Sequence, residues 1–270
     1  MNEVSIITGA NGFIGKHLTK ALKDKDIEVI PLHHSDLLFP ATLQKNLKEL
    51  KPDYIFHLSA YGNHADQTDL DTIVNANIIG TFNLLKASVG VNYKAFINVS
   101  SSSVTLPHQT IYSATKMGGE YLCKAFVDEY DKPIVSIRPY SVYGIGEAMH
   151  RFIPTVFRSC LNGEEMMLAP HPVHDWIYVD ELVTMLVNNS KVAEIIKGKT
   201  LECGTGKATT NQQIVEMIEK ITGKKANYKI MNKLREFDTV DPKIWVADYP
   251  FDTFWPLQKG LQTIYDSIEE

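Results

Sequence analysis

Cysteine is scarce in this chain: 270 residues include three, Cys123, Cys160 and Cys203. They form no CxxC pair and have no metal-ligand spacing, so neither a disulfide framework nor a metal site is expected. Each reads as a small buried apolar residue, kept reduced. No stretch approaches the ~20 apolar residues of a membrane span. The N-terminus leads straight into an apolar, β-rich run, so no secretory leader is expected and the cytoplasm is the expected compartment. No run of five or more like charges occurs. The net charge of −5 goes with no basic stripe of the kind a phosphate backbone requires. Neither membrane nor nucleic acid is therefore an expected partner. Repeats and low-complexity segments are missing as well.

What is present is alternation. The apolar run VSIIT (4–8) is followed by Gly9, Gly12 and Gly15, and then by Ile14, Leu18, Ala21 and Leu22 at helical spacing. IEVIPL (27–32) reads as a second strand, 41–50 as a helix and PDYIFHLSA (52–60) as a third strand. A long helical stretch near 68–89, the strand KAFINVS (94–100), a helix over 111–131 and the strand PIVSIRP (133–139) follow. Strands alternating with helices predict parallel βαβ units in a doubly wound α/β sheet. Beyond residue 145 the alternation weakens. The expected organisation is a nucleotide-binding domain over 1–145 and a smaller C-terminal α/β substrate lobe over 146–270. Strands near 176–179 and 200–203 are candidates to rejoin the main sheet.

The stretch TGANGFIG carries glycines spaced G-x-x-G-x-x-G between a strand and a helix. Gly9 suits a turn that a Cβ would forbid. Gly12 lets a pyrophosphate approach the backbone, where the helix N-terminus offers free N–H groups and a positive dipole end. Gly15 permits close packing of helix on strand. At the first strand–helix junction of an alternating fold, this spacing points to a dinucleotide. Such folds read the adenosine ribose with an acid at the end of strand two. Here that strand ends in PLHHSDL, with His33 and His34 where the acid would stand. No carboxylate there repels a 2′-phosphate, and the imidazoles with Ser35 can donate to one. NADP(H) is therefore favoured and NAD(H) remains possible. Asp36 is left as an acceptor for the adenine amino group.

The segments TGANGFIG, KPDYIFHLSA, NANIIGTFNLLKA, FINVSSSSV, YSATK, RPYSVYG, HDWIYVDELV, CGTGKATT and WPLQKGLQTI occur in order and span nearly the whole chain. Together they resemble the extended short-chain dehydrogenase/reductase family, in its branch of NAD(P)-dependent nucleotide-sugar epimerases, dehydratases and reductases. The resemblance implies a Rossmann fold with Tyr112 as general acid/base and Lys116 as its partner. Four apart, both lie on one helix face. An ammonium beside a phenol favours the phenolate and lowers its pKa from about 10. The catalytic hydroxyl aligns with Ser101, and Ser102 is its nearest rival. Carried over as cofactor contacts are Gly9, Asn11, Gly12, Phe13, Ile14 and Gly15 of the turn. To these are added His33 to Leu37, then Leu58, Ser59 and Ala60 at the third strand's end, Asn77, Val99, Tyr112, Lys116, Tyr140 and Val142. Substrate contacts are expected from His64, Ser101, Ser102, Tyr112, Ser141, Arg151 and His174. A homodimer through the helices near 68–89 and 111–131 is implied too.

The chain departs from that family pattern in four places. Only 11 positions separate Ser101 from Tyr112, where relatives insert a longer covering loop. Ser141 replaces a usual asparagine. His174 replaces a usual arginine, and an imidazole cannot supply a bidentate guanidinium. Arg151 is the nearest candidate to restore that charge. Where dehydratases carry an Asp-Glu pair, this chain has Ser102 and Ser103, so 4,6-dehydration is not expected. The expected activity is reduction of a keto nucleotide sugar, with a 4-keto-6-deoxy sugar as the leading substrate. A C4 epimerase using retained NAD is the alternative, and a small-carbonyl reductase and a non-catalytic cofactor sensor are further ones.

Overall fold

The computed structural model describes residues 3–64, 66–107, 109–231 and 255–269. In chain order the elements begin β1 (Val4–Thr8), α1 (Phe13–Lys23), β2 (Glu28–Leu32), α2 (Pro40–Leu50) and β3 (Tyr54–His57). Next come α3 (Leu70–Val74), a π-helical turn (Asn75–Ile79), α4 (Gly80–Ser88), β4 (Ala95–Val99), α5 (Ile111–Tyr130) and β5 (Ile134–Pro139). There follow β6 (Ser141–Tyr143), α6 (Phe152–Asn162), β7 (Met166–Leu168), β8 (Val173–His174), β9 (Trp176–Tyr178), α7 (Val179–Ser190) and α8 (Ala193–Ile196). The last are β10 (Thr200–Cys203), β11 (Thr209–Thr210), α9 (Asn211–Thr222), β12 (Tyr228–Ile230) and α10 (Leu257–Glu269).

A six-stranded sheet runs in the order β10-β5-β4-β3-β1-β2. The pairs β1–β2, β1–β3, β3–β4 and β4–β5 are all parallel. The order 2-1-3-4-5 reverses direction between β1 and β3, the switch point at which doubly wound sheets bind their ligands. Strands covered on both faces are apolar throughout, and here Ile6, Ile7, Ile55, Phe56, Phe96 and Ile97 have no solvent exposure. Each such side chain contributes roughly 1.5–3 kcal/mol of burial energy. The helices pack leucines onto them, with Leu43 and Leu47 of α2 and Leu84 and Leu85 of α4 in one core with Ile6, Ile55 and Phe96. β2 lies at the outer edge, and its Pro31 stands opposite Ile7. The strand expected over 200–203 does join this sheet, as its other edge.

The chain divides into two compact units: Met1–Arg138 with Val183–Leu201, and Pro139–Leu182 with Glu202–Glu270. In the second unit, β9 pairs with β6 rather than with the main sheet, and β7 and β8 pair with β12 and β11. α9 starts on a capping box in which Thr210 and Gln213 exchange side-chain and backbone bonds. Asp175, fully buried, ties this unit together. Its carboxylate accepts from the Thr205 amide at 2.7 Å, the Thr205 hydroxyl at 2.6 Å and the Gly206 amide at 2.8 Å. Replacing Asp175 by Asn turns one acceptor into a donor facing donors. Asp175→Asn is expected to lower stability by about 2–4 kcal/mol, read as a lower urea midpoint at unchanged slope.

Candidate active site

The glycine turn links β1 to α1, as its spacing predicts. Gly9 has φ +73°, in the left-handed region. A Cβ there would meet the Ser59 amide nitrogen at 3.0 Å, and a Cβ on Gly15 would collide with the Gly9 carbonyl oxygen. The turn is therefore folded against itself and against the end of β3, where Leu58 and Ser59 are half-buried and Ala60 is exposed. Gly12 caps α1 with no side-chain bond, and no acid stands in the helix's first turn. Asn11 and Gly12 are exposed, and Phe13 and Ile14 half-buried. An open helix N-terminus of this kind fits a dinucleotide pyrophosphate.

At the end of β2, residues His34–Leu38 form a 3₁₀ turn in which Leu37 is buried and Ser35 exposed. The Asp36 carboxylate accepts from the His33 backbone N–H at 2.8 Å. Asp36, two residues beyond His34, thus holds the turn.

The catalytic candidates lie just after β4 and on the first turns of α5. Thr110 caps α5 by accepting from the Ser113 amide, and the box closes when Ser113 accepts from the Thr110 amide. This fixes the start of the helix just ahead of Tyr112, which is half-buried. Lys116 is buried, and its Nζ donates to the Val99 carbonyl at 2.6 Å. Val99 is thus held through its backbone, two residues before Ser101. Ser101 Oγ accepts from the Ser103 amide at 3.2 Å and lies 2.9 Å from Ser103 Oγ. Ser102 is half-buried and opens the short 3₁₀ turn that Ser101 caps. Burial pulls Lys116 down to about 8, opposed by the charges of Cys123 and Glu120. The ammonium is retained at neutral pH close to its titration point. One turn further along α5, Glu120 takes a two-point bond from Arg138, at 2.8 and 2.6 Å.

Asn77 lies in the π-helical turn and is buried. Its amide is fully engaged by protein: Oδ1 accepts from the Tyr61 N–H at 2.9 Å, and Nδ2 donates to the Tyr61 carbonyl and to Thr115 Oγ1 at 2.8 and 2.9 Å. π-turns recur at functional sites, and this one carries the clamp between the loop after β3 and α5. His64 is half-buried in that loop, where its backbone bonds Gln67. Tyr61 and Thr115, which the motifs do not single out, are thereby joined to Asn77, and His57 bonds Thr81 one turn further along the same helical stretch. His57 left one trace in the sequence, as the lone imidazole in an otherwise apolar strand.

The remaining candidates lie in the second unit. Ser141 Oγ is 3.3 Å from His174 Nδ1, and the His174 ring meets Trp176 edge-on at 5.4 Å. Tyr140 is buried and its amide bonds the Cys203 carbonyl, while Val142 pairs with Ile177. Arg151 caps α6 and stands 3.6 Å from Glu147. Glu147 is buried, and desolvation raises its carboxyl to about 7 against the pull of Arg151. All three cysteines are buried and free. No helix among the described residues is long and apolar enough to cross a membrane.

A glycine turn at the switch point, a serine after β4 and a tyrosine and a buried lysine at the start of α5 are the parts of an enzyme of dinucleotide-dependent oxidation and reduction. The sequence profile of the NAD dependent epimerase/dehydratase family matches residues 5–204, and the chain belongs to that family. It is 28% identical over 318 residues to the Bacillus subtilis protein named uncharacterized UDP-glucose epimerase YtcB, covering 96% of this chain and 91% of the relative. It is 25% identical over 240 residues to GDP-6-deoxy-D-talose 4-dehydrogenase of Aggregatibacter actinomycetemcomitans, covering 80% and 79%. The Thermotoga maritima UDP-glucose 4-epimerase, solved with UDP-glucose, superposes with a TM-score of 0.82 at 22% identity, over 99% of this chain and 100% of that one. The fold is thus of the Rossmann type of extended short-chain dehydrogenases/reductases, and the chain is an NAD-dependent enzyme of the nucleotide-sugar epimerase/dehydratase type.

A buried ammonium costs folding stability. The Lys116 value is depressed relative to the unfolded chain, so its penalty is fully present below pH 8 and is relieved as pH rises further. Lys116→Met is therefore expected to raise Tm by about 2–4 °C at pH 7 while lowering turnover at least ~100-fold. Calorimetry and a steady-state assay on one preparation check both.

Proposed function

We propose that this enzyme is an NADP(H)-dependent ketoreductase acting on a keto nucleotide sugar, with C4 of a 4-keto-6-deoxy sugar as the reacting carbon. The observation that carries the reading is the content of the β4 strand end. Ser101, Tyr112 and Lys116 are present, and the two positions after Ser101 hold serines rather than a carboxylate pair. The groups for moving one proton at a carbonyl are present, and those for expelling water from a sugar are not. The relative named as a 4-dehydrogenase of a GDP-6-deoxy sugar supports this.

The nicotinamide would supply hydride to the carbonyl carbon. Tyr112 donates its phenolic proton to the carbonyl oxygen, and Ser101 donates a hydrogen bond to that oxygen and fixes its direction. Lys116, one helical turn from Tyr112, would stabilise the phenolate left behind. Gly9, Gly12 and the α1 N-terminus would hold the pyrophosphate. His33, His34 and Ser35 would receive a 2′-phosphate through their N–H and O–H donors, and the Asp36 carboxylate is turned back to the His33 amide. His64, Ser102, Ser141, Arg151 and His174 are assigned to the nucleotide sugar.

The second reading is C4 epimerisation with tightly held NAD, favoured by the family's NAD dependence and by the relative named as a UDP-glucose epimerase. The two readings part in one assay: the full chain with NADPH or NADH and a panel of 4-keto nucleotide sugars, beside simple UDP-hexoses. The reductase reading expects stoichiometric NADPH oxidation, and Tyr112→Phe is expected to lower it at least ~100-fold. Epimerised hexose without net cofactor oxidation overturns it.

A homodimer is part of the proposal. Leu70, Val74 and Phe82 of α3 and α4 and Tyr121 of α5 are exposed apolar side chains. Helical spacing puts the first two on one stripe. Light scattering is expected to give twice the mass of 30.4 kDa, and Tyr121→Glu with Phe82→Glu to reduce it to the single-chain value.

A further inference from the structure

A histidine inside a continuous apolar strand must find partners for both ring nitrogens, because unpaired buried polar atoms are destabilising. His57 is fully buried at the end of β3. Its Nδ1 lies 2.7 Å from Thr8 Oγ1, and its Nε2 lies 2.8 Å from Thr81 Oγ1. The neighbours decide where the protons sit. Thr8 Oγ1 already accepts from the Leu58 and Ser59 amides, both at 3.1 Å, so its own proton goes to Nδ1. The Thr81 hydroxyl donates to the Asn77 carbonyl at 2.7 Å, so it must accept from Nε2–H. The ring is neutral with its proton on Nε2. Burial, helped by the Lys116 charge, lowers His57 to about 3.

The bonds continue at both ends. Thr8 adjoins Gly9, and the two amides it anchors belong to the strand end on which the glycine turn rests. At the other end, the Asn77 amide clamps Tyr61 from both sides and donates to Thr115 Oγ1. Thr115 in turn donates to the Tyr112 carbonyl at 2.8 Å. One directed chain, Thr8–His57–Thr81–Asn77–Thr115–Tyr112, therefore joins the dinucleotide turn to the first turn of the helix that carries the acid/base.

We propose that His57 is a positioning residue for the reaction: by bonding Thr8 and Thr81 at once, it sets the place of the Tyr112 turn relative to the glycine turn. It touches neither cofactor nor substrate. Its effect is on hydride and proton geometry, where a displacement of ~1 Å costs about 100-fold in rate. Thr8 and Thr81 share the role, because removing either leaves His57 with one bond and nothing to transmit.

Two measurements test this on the full chain with His57→Phe, Thr81→Val and the double variant. The first is amide hydrogen exchange at Tyr61, which needs no substrate and does not depend on the proposed activity. Its N–H is bonded only at the far side of the chain, and exchange is expected to speed up at least ~10-fold in each folded variant. The second rests on the proposed reductase activity. There kcat is expected to fall at least ~10-fold while the dinucleotide KM changes less than ~3-fold, and the double variant to be no slower than the slower single one. Thr81→Val is close to isosteric and carries the test alone if His57→Phe does not fold. Unchanged exchange at Tyr61 in the folded variants overturns the proposal, as does a kcat within ~2-fold of the parent. If the parent turns over no sugar, the reductase reading fails by itself and the exchange result still decides.

Discussion

The Lys116 ammonium donates to the carbonyl of Val99, and much of the site depends on that bond. It joins the helix bearing Tyr112 to the strand that ends beside Ser101. Both residues are buried, so the interaction is little screened by water and sensitive to small displacements. Burial also keeps the ammonium near neutral titration, which a surface lysine would not show. The same side chain thus acts as a packing strut between α5 and β4 and as a buried charge four residues along the helix from Tyr112. Glu120, one turn on, opposes the burial effect with its negative charge and is itself paired with Arg138.

Much of the first unit is legible in the sequence because its signals are local. The apolar runs of β1, β3 and β4, the glycine spacing and the Tyr112–Lys116 pair each need only a few neighbouring residues to be recognised. The helix expected near 68–89 spans Leu70–Ser88, and only its π-turn is unannounced. What cannot be read locally is joined from far apart. His57, Thr8, Thr81, Tyr61, Asn77 and Thr115 come from β1, β3, a loop and three helical segments. No spacing rule connects residue 8 to residue 115. The acid of β2 shows a subtler limit: Asp36 is visible in the sequence, but its return to the His33 amide depends on a 3₁₀ turn.

The second unit is less legible in the sequence because its strands are short. β8 and β11 have two residues each, and β6, β7, β9 and β12 three. Such segments carry no measurable alternation. They persist through fixed polar anchors, above all the Asp175 carboxylate, which gathers two amides and a hydroxyl where apolar pairing is too brief to specify register. Ser141 and His174 lie on strands next to that anchor, so the side chains assigned to the sugar nucleotide stand on a well-braced base.

Pro31 has a consequence of another kind. The outermost strand of an open sheet offers a row of backbone donors and acceptors to any extended peptide. β2 is such a strand, and at Pro31 it has no amide proton to offer. A foreign strand could not complete a ladder across that gap. A single imino acid on the outermost strand thus guards the sheet against edge-to-edge association with other chains.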